Sequence, residues 1–484
     1  MRFSAELSLG KIIFFLFTCF FSLEVAAQDS VFADSSRYYI RSVSFSGNKT
    51  TKQFILEREL TFHPGDTLSG PALSARIVHS RENLLNTSLF NFVTISPSCE
   101  KDSSVNGVIP VSVNVTVHER WYTWPVPIFE VSEQNFNTWW RHGRNLDRAS
   151  YGFFLWRYNF RGRKESIALI CRFGYSVQYG AQYSIPYLNR KKTFGVTLTG
   201  TYTRTHEIAV STQNNELVYF KDRAKYIRGE ALGSMMFSWR PGIYIAHTLD
   251  VRYSSLWVDD TVAKVSSGYF VQGRTRMDYF SLSYRFVYDH RDIKAYALHG
   301  QYAELELTKH GLGLLRNEDL NVFYVVAGVR QYAEILPRIF LGFMIRGRFL
   351  VGPDPPYYHQ RALGFATYVR GYEYYVIDGQ DFLLTKLNLK YQIVKPHVFH
   401  IPYLPVEKFN VFHIAVYGGI FADAGRVNDR TSLPADDNYL GNQTLFGYGA
   451  GIDFVTYYDI ALRVEYAFNR MGENGLFLHL GAPF

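Results

Sequence analysis

The chain has 484 residues, a formal net charge of +8 and a mean hydropathy of −0.11, with 36 tyrosines and 39 phenylalanines against 6 methionines. Near-neutral hydropathy excludes a bundle of apolar membrane helices, and so aromatic a composition, with 37 glycines, points to alternating strands. Three cysteines in this length exclude a fold built on disulfides.

At the N-terminus, Arg2 and Lys11 precede an apolar stretch from Ile12 to Phe21, and Val25, Ala26 and Ala27 supply the small residues a signal peptidase needs. Residues 1–27 therefore read as a signal peptide, too short to span a membrane as a helix. Its removal takes Arg2, Lys11, Glu6 and Glu24 and leaves the charge balance unchanged. Of the cysteines only Cys99 and Cys171 then remain, and both are expected as free thiols. An excess of basic charge can mean nucleic acid, but an exported, aromatic-rich chain is expected to meet anionic lipid headgroups or an acidic polypeptide instead. No nucleic-acid partner is expected.

Residues 38–119 form one unit. Tyr39 to Ser46 alternates as a strand and Gly47-Asn48-Lys49 turns. Thr50-Thr51-Lys52-Gln53 reads as the capping box of a helix running through Leu60. A second helix is expected from Gly70 to Leu85, then strands at Leu89–Ile95 and Val111–Glu119. The order is strand, helix, helix, strand, strand.

From Trp121 to Phe484 period-two alternation dominates. Tyr151–Phe160 leads through the turn Arg161–Lys164 into Glu165–Gly174, and Thr193–Arg204, Phe280–Tyr288 and Phe382–Tyr391 alternate cleanly. Sixteen such segments follow Tyr122. That leaves about 23 residues per strand and connection, ample for transmembrane strands of about 9–11 residues. The first, Trp124–Val131, carries two prolines and is the least regular.

Asp289-His290-Arg291-Asp292 before Gly300–Leu307, Val369-Arg370-Gly371-Tyr372, Phe421-Ala422-Asp423-Ala424-Gly425, the glycine-rich Phe446–Asp453 and a terminal Phe484 occur in that order. Together they resemble the C-terminal barrel of the BamA/TamA superfamily, outer-membrane barrels that insert or translocate other proteins. Residues 38–119, with Gly47-Asn48, Arg58-Glu59-Leu60, Leu89-Phe90 and Val117-His118-Glu119, resemble a single POTRA domain, the polypeptide-binding module of that superfamily. The fold expected is mainly β: a 16-stranded antiparallel transmembrane β-barrel over residues 121–484 preceded by one small α+β POTRA domain. The resemblance places the Asp289–Asp292 stretch at a turn on the periplasmic side. It also implies that Val369, Arg370, Gly371 and Tyr372 form the tip of a loop folded back into the barrel. Arg370 would there meet Asp423 on a wall whose Phe421 and Gly425 share its face, with Asp453 as a fallback partner. Leu476, Leu478, Leu480 and Phe484 would form the C-terminal insertion signal. One departure stands out: Asn388, nine residues after Gly379, occupies a place where assembly members of the family put a glutamate, and Lys390 follows. A second acidic partner for Arg370 is accordingly expected to be missing.

The function implied is capture of unfolded outer-membrane or secreted polypeptide clients by strand addition, followed by insertion at the barrel seam or passage through the lumen. The protein would sit in the outer membrane of a Gram-negative bacterium, among its lipids, with the POTRA domain in the periplasm. No catalytic residues, cofactor or metal are expected: histidines are scattered and Gly447-Tyr448-Gly449 lies in a strand pattern rather than at a helix start. The competing classes are an outer-membrane barrel hydrolase and a passive porin. A single POTRA domain suits an accessory or specialised member rather than a general inserter. Whether the first and last strands form a weak seam or an ordinary closure, and whether clients are inserted or secreted, both stay open on the sequence.

Overall fold

The computed structural model describes residue 32 and residues 36–99, 107–131, 149–316, 318–364, 366–400, 409, 411–430, 437–456 and 460–481. The expected signal segment 1–27 and Phe484 lie outside the described residues.

The small N-terminal unit comprises strand Arg37–Ser46, helix Gln53–Glu59, the short strand Thr67–Ser69, helix Gly70–Leu85, and strands Phe90–Cys99 and Val108–Glu119. Across its sheet the order is Thr67–Ser69, Arg37–Ser46, Val108–Glu119, Phe90–Cys99. Alternation fixes its two faces. Ile40, Val111, Val113, Val115 and Val117 turn inward against Ile55, Leu56, Leu73 and Leu84 of the helices, while Ser42, Ser44, Ser46 and Asn114 face water. The expected capping box is not formed: Lys52 occupies the N-cap and makes no side-chain cap bond. Thr51 is drawn instead to the end of the neighbouring strand, where its backbone N–H and its hydroxyl donate to Glu119 at 2.6 and 2.7 Å.

Sixteen strands make one antiparallel meander that curls into a barrel, each pairing with its sequence neighbours in the wall. Two small ribbons lie outside that wall: Glu207–Gln213 with Glu216–Lys221, and Arg361–Leu363 with Ile377–Asp378. The wall begins at Thr123–Val131 and ends at Asn474–Leu480, and among the described residues these two strands share no backbone ladder. Inside and outside alternate along each strand. In Asp381–His400, Phe382, Leu384 and Lys386 are buried toward the interior while Leu383, Leu387 and Tyr391 are exposed on the outer surface. Asp289–Arg291, expected at a turn, instead close the strand Arg276–Arg291, and the turn itself is residues 292–299.

The small unit is fastened to turns at one end of the barrel. Lys52 N–H donates to the carbonyl of Gly162 at 2.9 Å, and the Asn159 amide to the Thr51 hydroxyl at 2.8 Å. Glu59, 1% exposed, receives both ends of the Arg240 guanidinium at 2.7 and 2.9 Å. Arg58 donates to the carbonyls of Lys192 and Arg240 at 2.7 and 3.0 Å. Burial pushes the Glu59 carboxyl up, but Arg240, Lys164 and Arg58 pull it down further, so it sits at about 2.

Candidate functional site

The connection between strands Ile339–Val351 and Asp381–His400 enters the barrel from the end opposite the small unit. Its tip is Val369–Tyr372. Gly371 has φ 89°, a left-handed conformation that a side chain would disfavour, and its N–H donates to Glu373 at 2.7 Å while Tyr372 N–H closes onto the carbonyl of Val369 at 3.1 Å. That tight reversal aims Arg370 at the wall.

Arg370 is 1% exposed. Its Nη2 and Nε donate to the two oxygens of Asp423 at 2.5 and 2.9 Å, and its backbone N–H reaches the same carboxylate at 3.1 Å. The guanidinium carbon lies 3.8 Å from the centre of the Phe421 ring. Strand alternation puts Phe421, Asp423 and Gly425 on one interior face. The space for the loop comes from missing side chains: a Cβ on Gly447 would stand 1.7 Å from the carbonyl oxygen of Arg370, and one on Gly425 2.5 Å from Val369. The amide of Asn469 then ties the carbonyl of Gly371 at 2.9 Å.

A second acidic partner exists, at a place the family pattern does not indicate. Glu465 accepts from Arg370 Nη1 at 3.1 Å and is flanked by Arg463 at 3.4 Å and His479 at 3.4 Å, while Lys386 approaches Asp423 at 3.5 Å. Asn388 is buried nearby, and its amide nitrogen has no hydrogen-bond partner among the described residues. Sequence reasoning missed Glu465, although Arg463 and Glu465 alternate with Leu462, Val464 and Tyr466, which marks an inward-facing charged row. Buried cations Arg370, Lys386 and Arg463 are thus interleaved with the carboxylates Asp423, Glu465 and Glu373, which is the condition for keeping such charges out of bulk water.

Asp453 does not serve as a fallback for Arg370. Gly447, six positions before it on the same strand, is the residue opposite Asp423, so Asp453 stands about 20 Å further along the wall. There it takes Lys390 at 2.7 Å and the hydroxyl of Tyr296 at 2.6 Å. Tyr296 belongs to the turn 292–299 beside the small unit, and its buried ring crosses the interior to lie 5.1 Å from that of Tyr417, tilted against it by 34°. The lumen is therefore bridged twice, by Arg370 from one end and by Tyr296 from the other.

Leu476, Leu478 and Leu480 are 58%, 48% and 81% exposed on the outer face of the last strand, whereas Phe477 and His479 point inward, Phe477 against Phe421 and Ala467. Cys99 and Cys171 are free.

Residues 38–120 match the POTRA model described as a surface antigen variable number repeat, and residues 159–475 match the Omp85 superfamily domain. No curated protein matches. Among solved structures, BamA from Haemophilus ducreyi lacking POTRA domains 1–3 is 16% identical, with 91% of this chain and 83% of that chain covered at a TM-score of 0.49. CdiB from Escherichia coli is 11% identical, with 94% and 92% covered at 0.45. CdiB from Acinetobacter baumannii is 9% identical, with 92% and 73% covered at 0.45.

Proposed function

Since the chain belongs to the Omp85 superfamily, with one POTRA domain ahead of a 16-stranded barrel, we propose that it is an outer-membrane protein that takes unfolded polypeptides from the periplasm and assembles them into, or moves them across, that membrane. In this orientation the POTRA domain and the turns it grips lie in the periplasm, and the outer apolar face meets lipid.

One observation carries the choice of route. The lumen is bridged at Arg370 with Asp423 and Glu465 and again at Tyr296 with Asp453, while the first and last strands share no backbone ladder among the described residues. A weakly joined seam offers a client strand the backbone partners it lacks, without any need to clear the lumen. The same two bridges oppose a passive porin, which needs an open bore. We place client entry at the seam between Thr123–Val131 and Asn474–Leu480.

The test replaces Phe129 and Leu478, both exposed on the outer face of these strands, with cysteine in a protein lacking Cys99 and Cys171. Sealing the pair with a short bis-thiol crosslinker is expected to deplete outer-membrane proteins or a secreted partner in the cell, whereas each single cysteine treated alike is harmless. Full activity of the sealed protein would exclude the seam.

A further inference from the structure

The lumen holds a cavity of about 650 Å³ that neither of the two bridges lines. Its floor is the inner face of consecutive wall strands, from Glu165–Gly174 round to Gly300–His310. Two inserted segments close it: the ribbon formed by Glu207–Gln213 with Glu216–Lys221, and residues 358–361 of the connection that carries Arg370. The cavity stands at the end of the barrel away from the POTRA domain. Thr205 and Arg228, which line it, sit at the ends of strands whose other ends lead to Lys192 and Arg240, where Arg58 and Glu59 take hold.

Strand alternation decides which side chains enter it. Met235 and Val251 turn to the exposed outer face, while Arg228, Glu230, Arg252 and Ser254 of the same two strands turn inward. Arg172 and Arg361 add two further guanidiniums, and Lys221 Nζ lies 5.0 Å from the centre of the Tyr175 ring. The carboxylates facing these cations are Glu207 and Glu230, with Asp250 against Arg252 at 2.9 Å, so cations are in excess among the described residues. Such an excess inside a barrel is costly unless an anion answers it. The Nε–H groups of Arg228 and Arg252 and the Nε2 of His359 are buried and have no hydrogen-bond partner among the described residues.

Hydroxyls and aromatic rings supply much of the remaining lining. Thr203, Thr205, Ser254 and Ser281 offer hydroxyls, and Tyr269, Tyr279 and Tyr358 offer flat faces. The guanidinium carbon of Arg228 lies 5.4 Å from the centre of the Tyr358 ring, and Arg228 and Arg361 both act electrostatically on the Tyr358 phenol, so the two guanidiniums share one part of the cavity. Guanidinium forks suit a carboxylate or phosphate, hydroxyls suit other hydroxyls, and flat rings suit the face of a sugar. The closing segments oppose passage of a chain. Asn215 at the ribbon tip, 0% exposed, donates to the carbonyl of Val376 at 3.0 Å and to Asn438 at 2.7 Å, and its own carbonyl accepts from Val376 N–H at 2.7 Å. A small molecule has room, since ligand cavities run from about 300 to 1,000 Å³. The barrel wall separates the cavity from the bilayer, which rules out the headgroup of a lipid still anchored there.

We propose that this cavity binds a soluble acidic saccharide, one or two sugar rings bearing a carboxylate or a phosphate, with the anionic group held between Arg228 on the wall and Arg361 on the connection. Because His359 and Arg361 precede Arg370 on that connection, the bound sugar also fastens it to the wall. The client-handling reading enters only in placing this end of the barrel outside the cell.

The test is isothermal titration calorimetry on the full-length protein in detergent micelles. Digalacturonic acid and glucose 6-phosphate are the probes, with maltose, inorganic phosphate and tetraglutamate as controls. At least one acidic sugar is expected to bind about tenfold or more tightly than maltose and inorganic phosphate, the difference made by one charge-assisted contact, and the tighter of the two tells carboxylate from phosphate. Arg228→Gln and Arg361→Gln, in protein shown to be folded by heat-modifiable mobility, should each weaken that sugar by about tenfold. If Arg228→Gln strands Glu230 and fails to fold, Arg361→Gln still decides. The same sugar at saturation should slow protease cleavage within residues 352–368. Binding by neither acidic sugar, equal binding of maltose or inorganic phosphate, binding of tetraglutamate in their place, or an affinity untouched by Arg361→Gln overturns the assignment, and each of these leaves the handling of clients unaffected.

Discussion

Asn86 and Lys294 are joined across the junction between the POTRA domain and the barrel: the backbone N–H of Lys294 donates to the Asn86 side-chain carbonyl at 2.8 Å, while the Asn86 amide donates to the carbonyl of Asp292 at 2.8 Å. Asn86 closes the second helix, and Lys294 lies two residues before Tyr296, which bridges the lumen to Asp453. One side chain thus ties the POTRA domain to the turn whose Tyr296 reaches Asp453 on the barrel wall.

Replacing Asn86 with alanine removes both bonds, and a longer one to the carbonyl of Arg291 at 3.3 Å, and leaves the turn with the Lys294 N–H and the Asp292 carbonyl to satisfy from water. Each such bond contributes about 0.5–1.5 kcal/mol net. Hydrogen exchange over residues 292–299 should therefore accelerate several-fold, with exchange in the barrel wall unchanged. Unchanged exchange in the turn would show that it is held by the wall alone.

Glu59 makes the docking of the POTRA domain sensitive to acid. A carboxyl held at about 2 in the docked state, below its ordinary value of 4.5, contributes stability that is fully present above about 4.5 and is lost as pH falls toward 2. Crosslinking between a cysteine at Lys52 and one at Arg163 should persist at pH 7 and pH 5 and decline only below about 4.5. Glu59→Gln keeps the shape but not the charge, so it should weaken docking at pH 7 and flatten the dependence. A decline centred between pH 6 and 7 would assign the effect to a histidine instead.

Tyr296→Phe leaves Asp453 with Lys390 as its remaining partner at 2.7 Å, so the wall pair survives while both bonds of the hydroxyl, to Asp453 and from Lys390 at 2.6 Å, are lost and only ring contacts cross the lumen. The substitution should cost the fold little, about 1–3 kcal/mol for a buried acceptor losing one donor. Small-solute permeability through the barrel, read as planar-bilayer conductance or antibiotic sensitivity, should rise. Conductance equal to the wild type would mean that the loop carrying Arg370 alone closes the bore.

Much of this was legible in the sequence because strands announce themselves by period two and because the residues around Arg370 and Asp423 stand in short, ordered motifs. The strand order, the number of wall strands and the loop tip needed no long-range information. What the sequence hid depends on register and curvature. Glu465 lies 95 residues from Arg370 along the chain and reaches it because strand 461–469 lies beside the glycine-lined strand 444–456, with Gly451 opposite Glu465. Asp453 looked equivalent to Asp423 because both are acids in glycine-rich strands, and only the pairing register shows how far apart they sit. Tyr296 falls in a turn without periodicity, so nothing local marks it as reaching across the lumen. The capping box failed for a related reason: Thr51 had a better partner in Glu119, contributed by a strand far along the chain.

The two acidic partners of Arg370 should be unequal. Asp423 takes Nε, Nη2 and the backbone N–H, whereas Glu465 takes Nη1 alone and shares its carboxylate with Arg463. Asp423→Asn should therefore release the loop, breaking a buried pair at a cost of about 3–5 kcal/mol, while Glu465→Gln should cost less because the forked pair remains. Arg370→Lys cannot restore the lock, since one ammonium cannot reproduce a planar fork between two carboxylates. Protease cleavage within residues 352–368, followed on heat-modifiable, folded protein, measures release. The expected order of cleavage is Arg370→Ala and Asp423→Asn above Arg370→Lys, then Glu465→Gln, then wild type. A double substitution of Arg370 and Asp423 should cleave no faster than either single one, as expected when both act through one contact. If Glu465→Gln releases the loop as fully as Asp423→Asn, the lock is a charge network without a dominant pair, and the fork to Asp423 is not what holds it.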